Sequence, residues 1–78
     1  MAVIQVTVLN PKRTIFKGEA KSVFIPGDSG EFEILPVHKP VLGLLKAGNI
    51  VLDGKKTISV RKGIVRFAND ELVALVDT

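Results

Sequence analysis

Apolar and polar residues alternate along most of the chain, with the period of two that is typical of β-strands. In residues 3–9, Ile4, Val6 and Val8 share one face, while Gln5 and Thr7 share the other. The predicted strands cover residues 3–9, 14–16, 20–25, 32–35, 41–45, 50–52, 56–60, 64–68 and 72–76. Turn residues separate them at the spacing of a sandwich or barrel. We therefore predict an all-β fold, a small flattened β-sandwich or barrel of about nine or ten short strands, with no helix of useful length.

Glycine, proline, asparagine and aspartate mark the predicted turns between these strands. The strongest signal is Asp53-Gly54, which predicts a type I′ hairpin turn. The other predicted turns and breaks lie at Asn10-Pro11, Gly18, Pro26-Gly27, Ala47-Gly48-Asn49, Lys62-Gly63 and Asn69-Asp70.

Two segments, Val41–Leu45 and Leu72–Val76, are apolar on both faces instead of alternating. A strand that is buried on one side only should alternate, and a chain of this size has no further layer to cover both sides of two strands. Scattered apolar surface is ordinary in proteins. Because the excess here is concentrated, it favours a face that a partner covers.

Seventy-eight residues are expected to form one domain, residues 1–78, with a small core. Such a core rarely supplies more than about 3–5 kcal/mol of net stability without a disulfide, a metal or a partner. The chain has no cysteine and one histidine, which excludes disulfides and a tetrahedral zinc site built from such side chains. The high hydrophobic share, 46%, therefore favours docking onto a partner.

The formal net charge is +3, and the eleven lysines and arginines are scattered along the chain. This basic balance leaves open a small basic β-barrel that binds nucleic acid. Phenylalanine is the only aromatic residue type, and basic and aromatic residues are not interleaved on one strand as a base-stacking platform requires. The sequence shows no signal peptide and no apolar run near the roughly 20 residues of a membrane-spanning helix. We expect a soluble chain in a reducing compartment.

The unusual residues gather between Gly27 and Leu42. Within this stretch, Gly27-Asp28-Ser29-Gly30 has the pattern of a protease nucleophile loop and also of the glycine loop of KH domains. The protease triad needs a scaffold of two barrels, and the KH loop joins two helices. Neither fits a short all-β chain. We therefore predict a tight surface turn here and no catalytic residue.

His38 stands between Pro36 and Pro40, and each proline favours an extended conformation in the residue before it. This predicts a stiff extended arm. A catalytic histidine needs a nucleophile or carboxylate beside it, and the spacing supplies none. We therefore expect His38 to be a structural histidine or a contact residue in an interface.

Asp28, Glu31 and Glu33 form an acidic loop on an otherwise basic chain. Most clusters of this kind are solvated turns. The functional alternative is docking onto a basic surface, where such charges set the orientation and the association rate.

The central stretch, Gly-Glu-Phe-Glu-Ile-Leu-Pro-Val-His-Lys-Pro-Val-Leu in residues 30–42, resembles the hallmark of the F-type ATP synthase epsilon subunit family. The resemblance continues at residues 45–48, 63–65 and 73–78, in the same order and spacing. Glu33, Val37 and Lys39 stand where the family pattern has Gly, Gly and Ala. Most family members continue into a two-helix C-terminal domain, to which none of these 78 residues corresponds.

The resemblance implies a β-sandwich in the central stalk of the rotor, held between the gamma subunit and the membrane c ring. It implies a non-catalytic subunit that couples ion transport to ATP synthesis, with no cofactor, metal, small-molecule substrate or nucleic acid. It would lie peripherally on the cytoplasmic face of the bacterial inner membrane, or on the stromal or matrix side in organelles.

The resemblance also implies two sets of contact residues. Those expected to contact the c ring are Asp28, Ser29, Glu31, Phe32 and Glu33. Those expected to contact the gamma subunit are His38, Pro40, Val41, Leu42 and Leu44.

Overall fold

The computed structural model describes residues 2–78. They form nine strands and no helix, so the predicted all-β fold is confirmed. The strands are β1 (Ile4–Leu9), β2 (Thr14–Ala20), β3 (Val23–Gly27), β4 (Gly30–Ile34), β5 (Val41–Leu45), β6 (Gly48–Leu52), β7 (Lys56–Val60), β8 (Lys62–Ala68) and β9 (Glu71–Asp77).

All nine strands belong to one curled sheet with the order β2-β1-β9-β8-β5-β3-β6-β7, and β4 pairs with β3. The pairing is antiparallel except between β1 and β9. β3 and β5 share a single residue pair, Gly27 with Leu45, so the sheet bends there. The bend divides it into a first layer (β2, β1, β9, β8, β5) and a second layer (β4, β3, β6, β7).

The core lies between the two layers and holds seventeen buried apolar residues. The alternation predicted for β1 is confirmed, because Ile4, Val6 and Val8 are buried. Residues of the second layer, such as Ile25 and Ile50, belong to the same cluster. Within residues 2–78 no polar or charged residue is buried, so desolvation of polar groups opposes folding little.

The predicted turns at Asn10-Pro11, Asp53-Gly54 and Asn69-Asp70 are confirmed, whereas Asn49, predicted in a turn, lies in β6. The Asn10 side-chain oxygen accepts hydrogen bonds from the backbone N–H groups of Lys12 and Arg13, both at 2.8 Å. Asp53 and Gly54 have φ angles of 55° and 66°, as a type I′ turn requires. Asn69 and Asp70 also have positive φ angles, 51° and 58°.

Glycines predicted to break strands instead lie within them. β2 continues through Gly18 to Ala20, and β3 begins at Val23 rather than at residue 20. Similarly, β6 begins at Gly48 and β8 at Lys62. A Cβ on Gly48 would lie 2.7 Å from Cβ of Pro26, and one on Gly63 would lie 2.5 Å from the Leu75 carbonyl oxygen. These two glycines permit close approach of a neighbouring segment rather than a turn.

Candidate functional site

The glycine-rich loop is the tip of the hairpin between β3 and β4. Gly27 pairs with Gly30, which leaves Asp28 and Ser29 exposed at the turn. The predicted tight surface turn is therefore confirmed. A Cβ on Gly27 would lie 2.8 Å from the Gly30 carbonyl oxygen and 2.8 Å from a carbon of the Phe32 ring. The hairpin tip can thus close only with glycine at position 27.

Backbone hydrogen bonds join this hairpin to the end of β5. The Asp28 N–H donates to the Leu44 carbonyl at 2.9 Å, and the Lys46 N–H donates to the Pro26 carbonyl at 2.9 Å. They flank the pair between Gly27 and Leu45 that holds the two layers together. The acidic loop and β5 are therefore parts of one hydrogen-bonded unit.

The acidic side chains lie on the solvent side of this hairpin. Glu31 and Glu33 are exposed and share one face of β4, because they are two residues apart in a strand. Phe32 points the other way and packs against the core. Of the five residues predicted to contact the c ring, Phe32 therefore supports the hairpin from inside, whereas Asp28, Ser29, Glu31 and Glu33 are accessible. Their contacts with a partner stay a prediction.

The segment between β4 and β5 is a turn, so the predicted extended arm is wrong. The His38 N–H donates to the Leu35 carbonyl at 3.1 Å, which closes a four-residue turn with Pro36 in its second position. Val37, in the third position, has a φ angle of 68°, as a type II turn requires. The fixed φ of proline suits both an extended segment and the second position of a turn. At Pro36 the chain forms the turn.

His38 is half-buried beside this turn and has contacts on two sides. Its ring packs edge to face against Phe67, with ring centroids 6.1 Å apart. Its Nδ1 lies 2.7 Å from the Lys39 carbonyl oxygen, which can only accept, so Nδ1 carries the proton in this contact. These contacts fit the predicted structural role of His38.

An apolar surface lies on the outer face of the first layer. Four side chains on three adjacent strands form it, with exposed fractions of 77% for Leu42, 61% for Leu44, 48% for Ile64 and 50% for Leu75. Leu44 pairs with Ile64, and Ile64 pairs with Leu75, so these three form a row across the sheet. We call the four residues the outer apolar face. Concentrated exposed apolar area of this kind marks an interaction surface.

The five residues predicted to contact gamma fall into two groups: some side chains face solvent and others face the core. Leu42 and Leu44 belong to the outer apolar face, and Pro40 is exposed before it. Val41 points inward and packs against the core, while His38 is half-buried. Their contact with gamma stays a prediction.

Sequence reasoning did not assign Ile64 and Leu75 to this surface. The signal was present for Leu75, because the segment 72–76 is apolar on both faces. For Ile64 the signal was weaker: Ile64 and Val65 are adjacent apolar residues, so one of them must face outward, but Arg66 interrupts the apolar run. The position of Ile64 became apparent only from the register of β8 between β5 and β9.

A groove of about 480 Å³ joins the acidic hairpin to the outer apolar face. Asp28 and Leu44 line it from the side of the bend, and Ile64 and Leu75 from the sheet. A second groove, of about 210 Å³, runs between residues 27–30 and residues 42–44. The two surfaces predicted from the sequence are therefore contiguous.

Within residues 2–78, no group of three histidine or carboxylate side chains is arranged to hold a metal ion. Over the same range, no helix has the length and apolar character to cross a membrane.

Comparison with known proteins gives a consistent result. Residues 3–78 match the sequence model of a family described as the β-sandwich domain of the ATP synthase delta/epsilon chain. The ATP synthase epsilon chain of Nitratiruptor sp. is 40% identical over 81 residues, which cover 99% of this chain and 63% of the relative. The chain thus spans less than two thirds of the length of the curated relatives it matches.

Two solved structures share the fold. A chain of the Tetrahymena thermophila mitochondrial ATP synthase central stalk and c ring matches 96% of this chain and 63% of its own length, with a TM-score of 0.76 and 14% identity. A chain of the Euglena gracilis mitochondrial ATP synthase matches 97% of this chain and 51% of its own length, with a TM-score of 0.82 and 17% identity.

Proposed function

The chain belongs to the family of ATP synthase delta/epsilon chain β-sandwich domains, and from this premise we propose that it is a non-catalytic subunit of the central rotor stalk. It links the gamma subunit to the c ring and couples ion transport to ATP synthesis. The observation that carries this proposal is the family match along residues 3–78, together with 40% identity to an ATP synthase epsilon chain.

The gamma subunit covers the outer apolar face in this proposal. Leu42 and Leu44 project from β5, and Ile64 and Leu75 extend the same surface over β8 and β9. Removing such side chains from water contributes about 25 cal/mol per Å² of apolar area buried. Pro40 borders the contact, whereas His38 and Val41 hold the start of β5 against the core.

The c ring contacts the hairpin tip. Asp28, Ser29, Glu31 and Glu33 present exposed acidic and polar groups on the hairpin of β3 and β4. In the family that the chain resembles, the facing loops of the ring carry arginine. Opposite charges favour a defined orientation and fast association more than raw affinity, which suits a contact that sets register.

The subunit transmits force and makes or breaks no covalent bond. A force on the hairpin tip passes to β5 through the hydrogen bonds of Asp28 and Lys46, and from β5 across the sheet to the face held by gamma. The protein lies peripherally on the cytoplasmic face of the bacterial inner membrane, or on the matrix or stromal side in organelles, and it reaches the membrane through the ring.

Co-purification tests this function directly. The tagged chain is co-expressed with the gamma and c subunits of the same organism and isolated under native conditions. We expect gamma and the c ring to be retained together. Recovery of the chain with neither gamma nor the c ring bound would overturn the proposal.

An electrophoretic mobility shift with generic DNA and RNA at low salt separates this function from the nucleic-acid-binding alternative. The rotor function predicts no shift. Tight binding that falls steeply with salt is the behaviour of a phosphate-binding protein and would support the alternative.

A further inference from the structure

We propose that Asp70 is a positioning residue that latches the turn of residues 35–38 in the conformation from which β5 presents its gamma-binding side chains. The effect on gamma binding rests on the proposed function, whereas the hydrogen bond that forms the latch is a property of the free chain. Asp70 lies in the turn between β8 and β9, 33 residues from its contact in the turn of residues 35–38. This sequence separation means that the latch exists only in the folded state.

Val37 is the residue that needs the latch. Its φ angle of 68° lies in the left-handed region, which β-branched side chains adopt only under constraint. The other non-glycine residues with positive φ are asparagine or aspartate, which tolerate this region. A strained backbone of this kind persists where the surrounding structure holds it in place.

Asp70 supplies that constraint. Its carboxylate oxygen Oδ1 accepts a hydrogen bond from the Val37 N–H at 2.6 Å. Its own carbonyl accepts from the Gln5 N–H at 2.9 Å, so Asp70 is anchored to β1. The strained residue is therefore held by a charge-assisted bond from a fixed position.

The contact between His38 and Phe67 holds the turn on its other side. Phe67 is fully buried in β8, and it pairs with Val41, the first residue of β5. Asp70 therefore holds the turn at Val37, and Phe67 holds it at His38, just before β5 begins. Leu42 follows Val41 directly and belongs to the outer apolar face, so the turn sets where that face begins.

The variant Asp70→Gly tests the latch. It removes the carboxylate and keeps a residue that adopts positive φ. The matched control is Asn69→Gly, which makes the same replacement at the neighbouring positive-φ position of the same turn. The conservative variant Asp70→Asn keeps an acceptor oxygen and should behave largely as the parent chain.

Two measurements on the free chain report the latch. His38 is the only histidine, so its ring protons give isolated NMR signals, and the nearby Phe67 ring shifts them. In Asp70→Gly we expect these signals to move toward free-imidazole positions. We expect the Val37 amide to exchange about tenfold faster, the factor that corresponds to the loss of one such hydrogen bond. Unchanged shifts and unchanged exchange in Asp70→Gly would overturn the latch.

The variant Val37→Gly tests whether the Asp70 hydrogen bond compensates for backbone strain at Val37. Glycine adopts positive φ freely, so the turn should hold without the carboxylate. Adding Asp70→Gly to Val37→Gly should then displace the His38 signals less than Asp70→Gly does alone. An equal displacement in both backgrounds would show that Asp70 does not compensate for strain at Val37.

Association with gamma tests the consequence separately. We expect Asp70→Gly to weaken retention of gamma, and Asn69→Gly and Asp70→Asn to retain it. Full retention by Asp70→Gly, with displaced His38 signals, would overturn the positioning role while leaving the latch. Failure of the parent chain to retain gamma would overturn the proposed function, and the NMR result would still decide the latch.

Discussion

At the scale of single residues, short polar side chains fix the turns on which the strand pairing depends. Asp53 illustrates this twice over. Its positive φ closes the hairpin between β6 and β7. Its Oδ1 also accepts hydrogen bonds from the N–H groups of Lys21 and Ser22, at 2.6 and 3.1 Å. One carboxylate therefore serves a local turn and a turn more than 30 residues away.

Replacing Asp53 with glycine should separate these two roles, because glycine keeps the positive φ and removes the acceptor. We expect Asp53→Gly to lower the free energy of unfolding by about 1.5–3 kcal/mol, the range for loss of hydrogen bonds to a charged group. Asp53→Asn keeps one acceptor oxygen and should lose less. Urea denaturation measures both, and a glycine variant as stable as the parent chain would contradict this role.

At the scale of elements, the hairpin of β3 and β4 depends on its junction with β5. The junction consists of the Gly27–Leu45 pair and two flanking hydrogen bonds. It also needs a residue without a Cβ at position 27, because the Gly30 carbonyl and the Phe32 ring occupy that space. β3 also pairs with β6 through Val23 and Phe24, so the junction with β5 fixes the tip of the hairpin, and its position depends on close packing rather than on the turn alone.

The variant Gly27→Ala should loosen this junction. The added methyl group displaces either the Gly30 carbonyl or the Phe32 ring, and overpacking of this kind typically costs about 1–3 kcal/mol. We also expect faster amide exchange at Asp28 and Lys46. The matched control is Gly43→Ala in β5, where no atom lies within 4 Å of the added Cβ. Equal stability of the two variants would show that the junction does not need glycine.

At the scale of the whole molecule, the sheet encloses one core and leaves a group of apolar side chains outside it on the first layer. The outer apolar face and the acidic hairpin meet along the groove that contains Asp28 and Leu44. The proposed assembly assigns an apolar contact to the first surface and an electrostatic contact to the second. The two surfaces should therefore respond differently to substitution and to salt.

A charge in the outer apolar face should abolish association with gamma. Leu44→Asp places a carboxylate in this face. Binding of gamma would bury that charge without an opposite charge or hydrogen-bond donor beside it, which costs several kcal/mol. Folding should change little, because Leu44 is solvent-exposed in the free chain. Thr57→Asp, on exposed β7 of the second layer, is the matched control. Co-purification with gamma measures the association of both variants. A fully assembled complex with Leu44→Asp would show that gamma does not bind this face.

Charge reversal on the hairpin should weaken association with the c ring. We expect Glu31→Lys to reduce retention of the ring by roughly tenfold at low salt, because a like charge then faces the basic loops. Unfolding stability should stay within about 0.5 kcal/mol of the parent chain, as for other exposed positions. Glu71→Lys makes the same charge change on the first layer and should retain the ring. Equal retention of the ring by both variants would argue against the acidic contact.

The sequence by itself determined the all-β fold class, the approximate number of strands and the inward face of β1. Side-chain direction alternates along any strand, so the pattern of Ile4, Val6 and Val8 identified a buried face without knowledge of its neighbours. Asp53-Gly54 likewise determined a hairpin, because its φ requirement is local. The hallmark around His38 indicated the family from residue order alone.

Tertiary structure decided what depends on segments far apart in the chain. Gly48 and Gly63 interrupt the local pattern, and pairing with Val60 and with Val76 makes them strand residues. The close approach of Pro26 and of the Leu75 carbonyl leaves no room for a Cβ at either position. The turn at Pro36 formed instead of an extended arm because Asp70 holds the residue that follows it. The outer apolar face likewise exists only through strand register, which brings side chains from three separate strands into one surface. Such contacts depend on which strands become neighbours, and no local pattern contains that information.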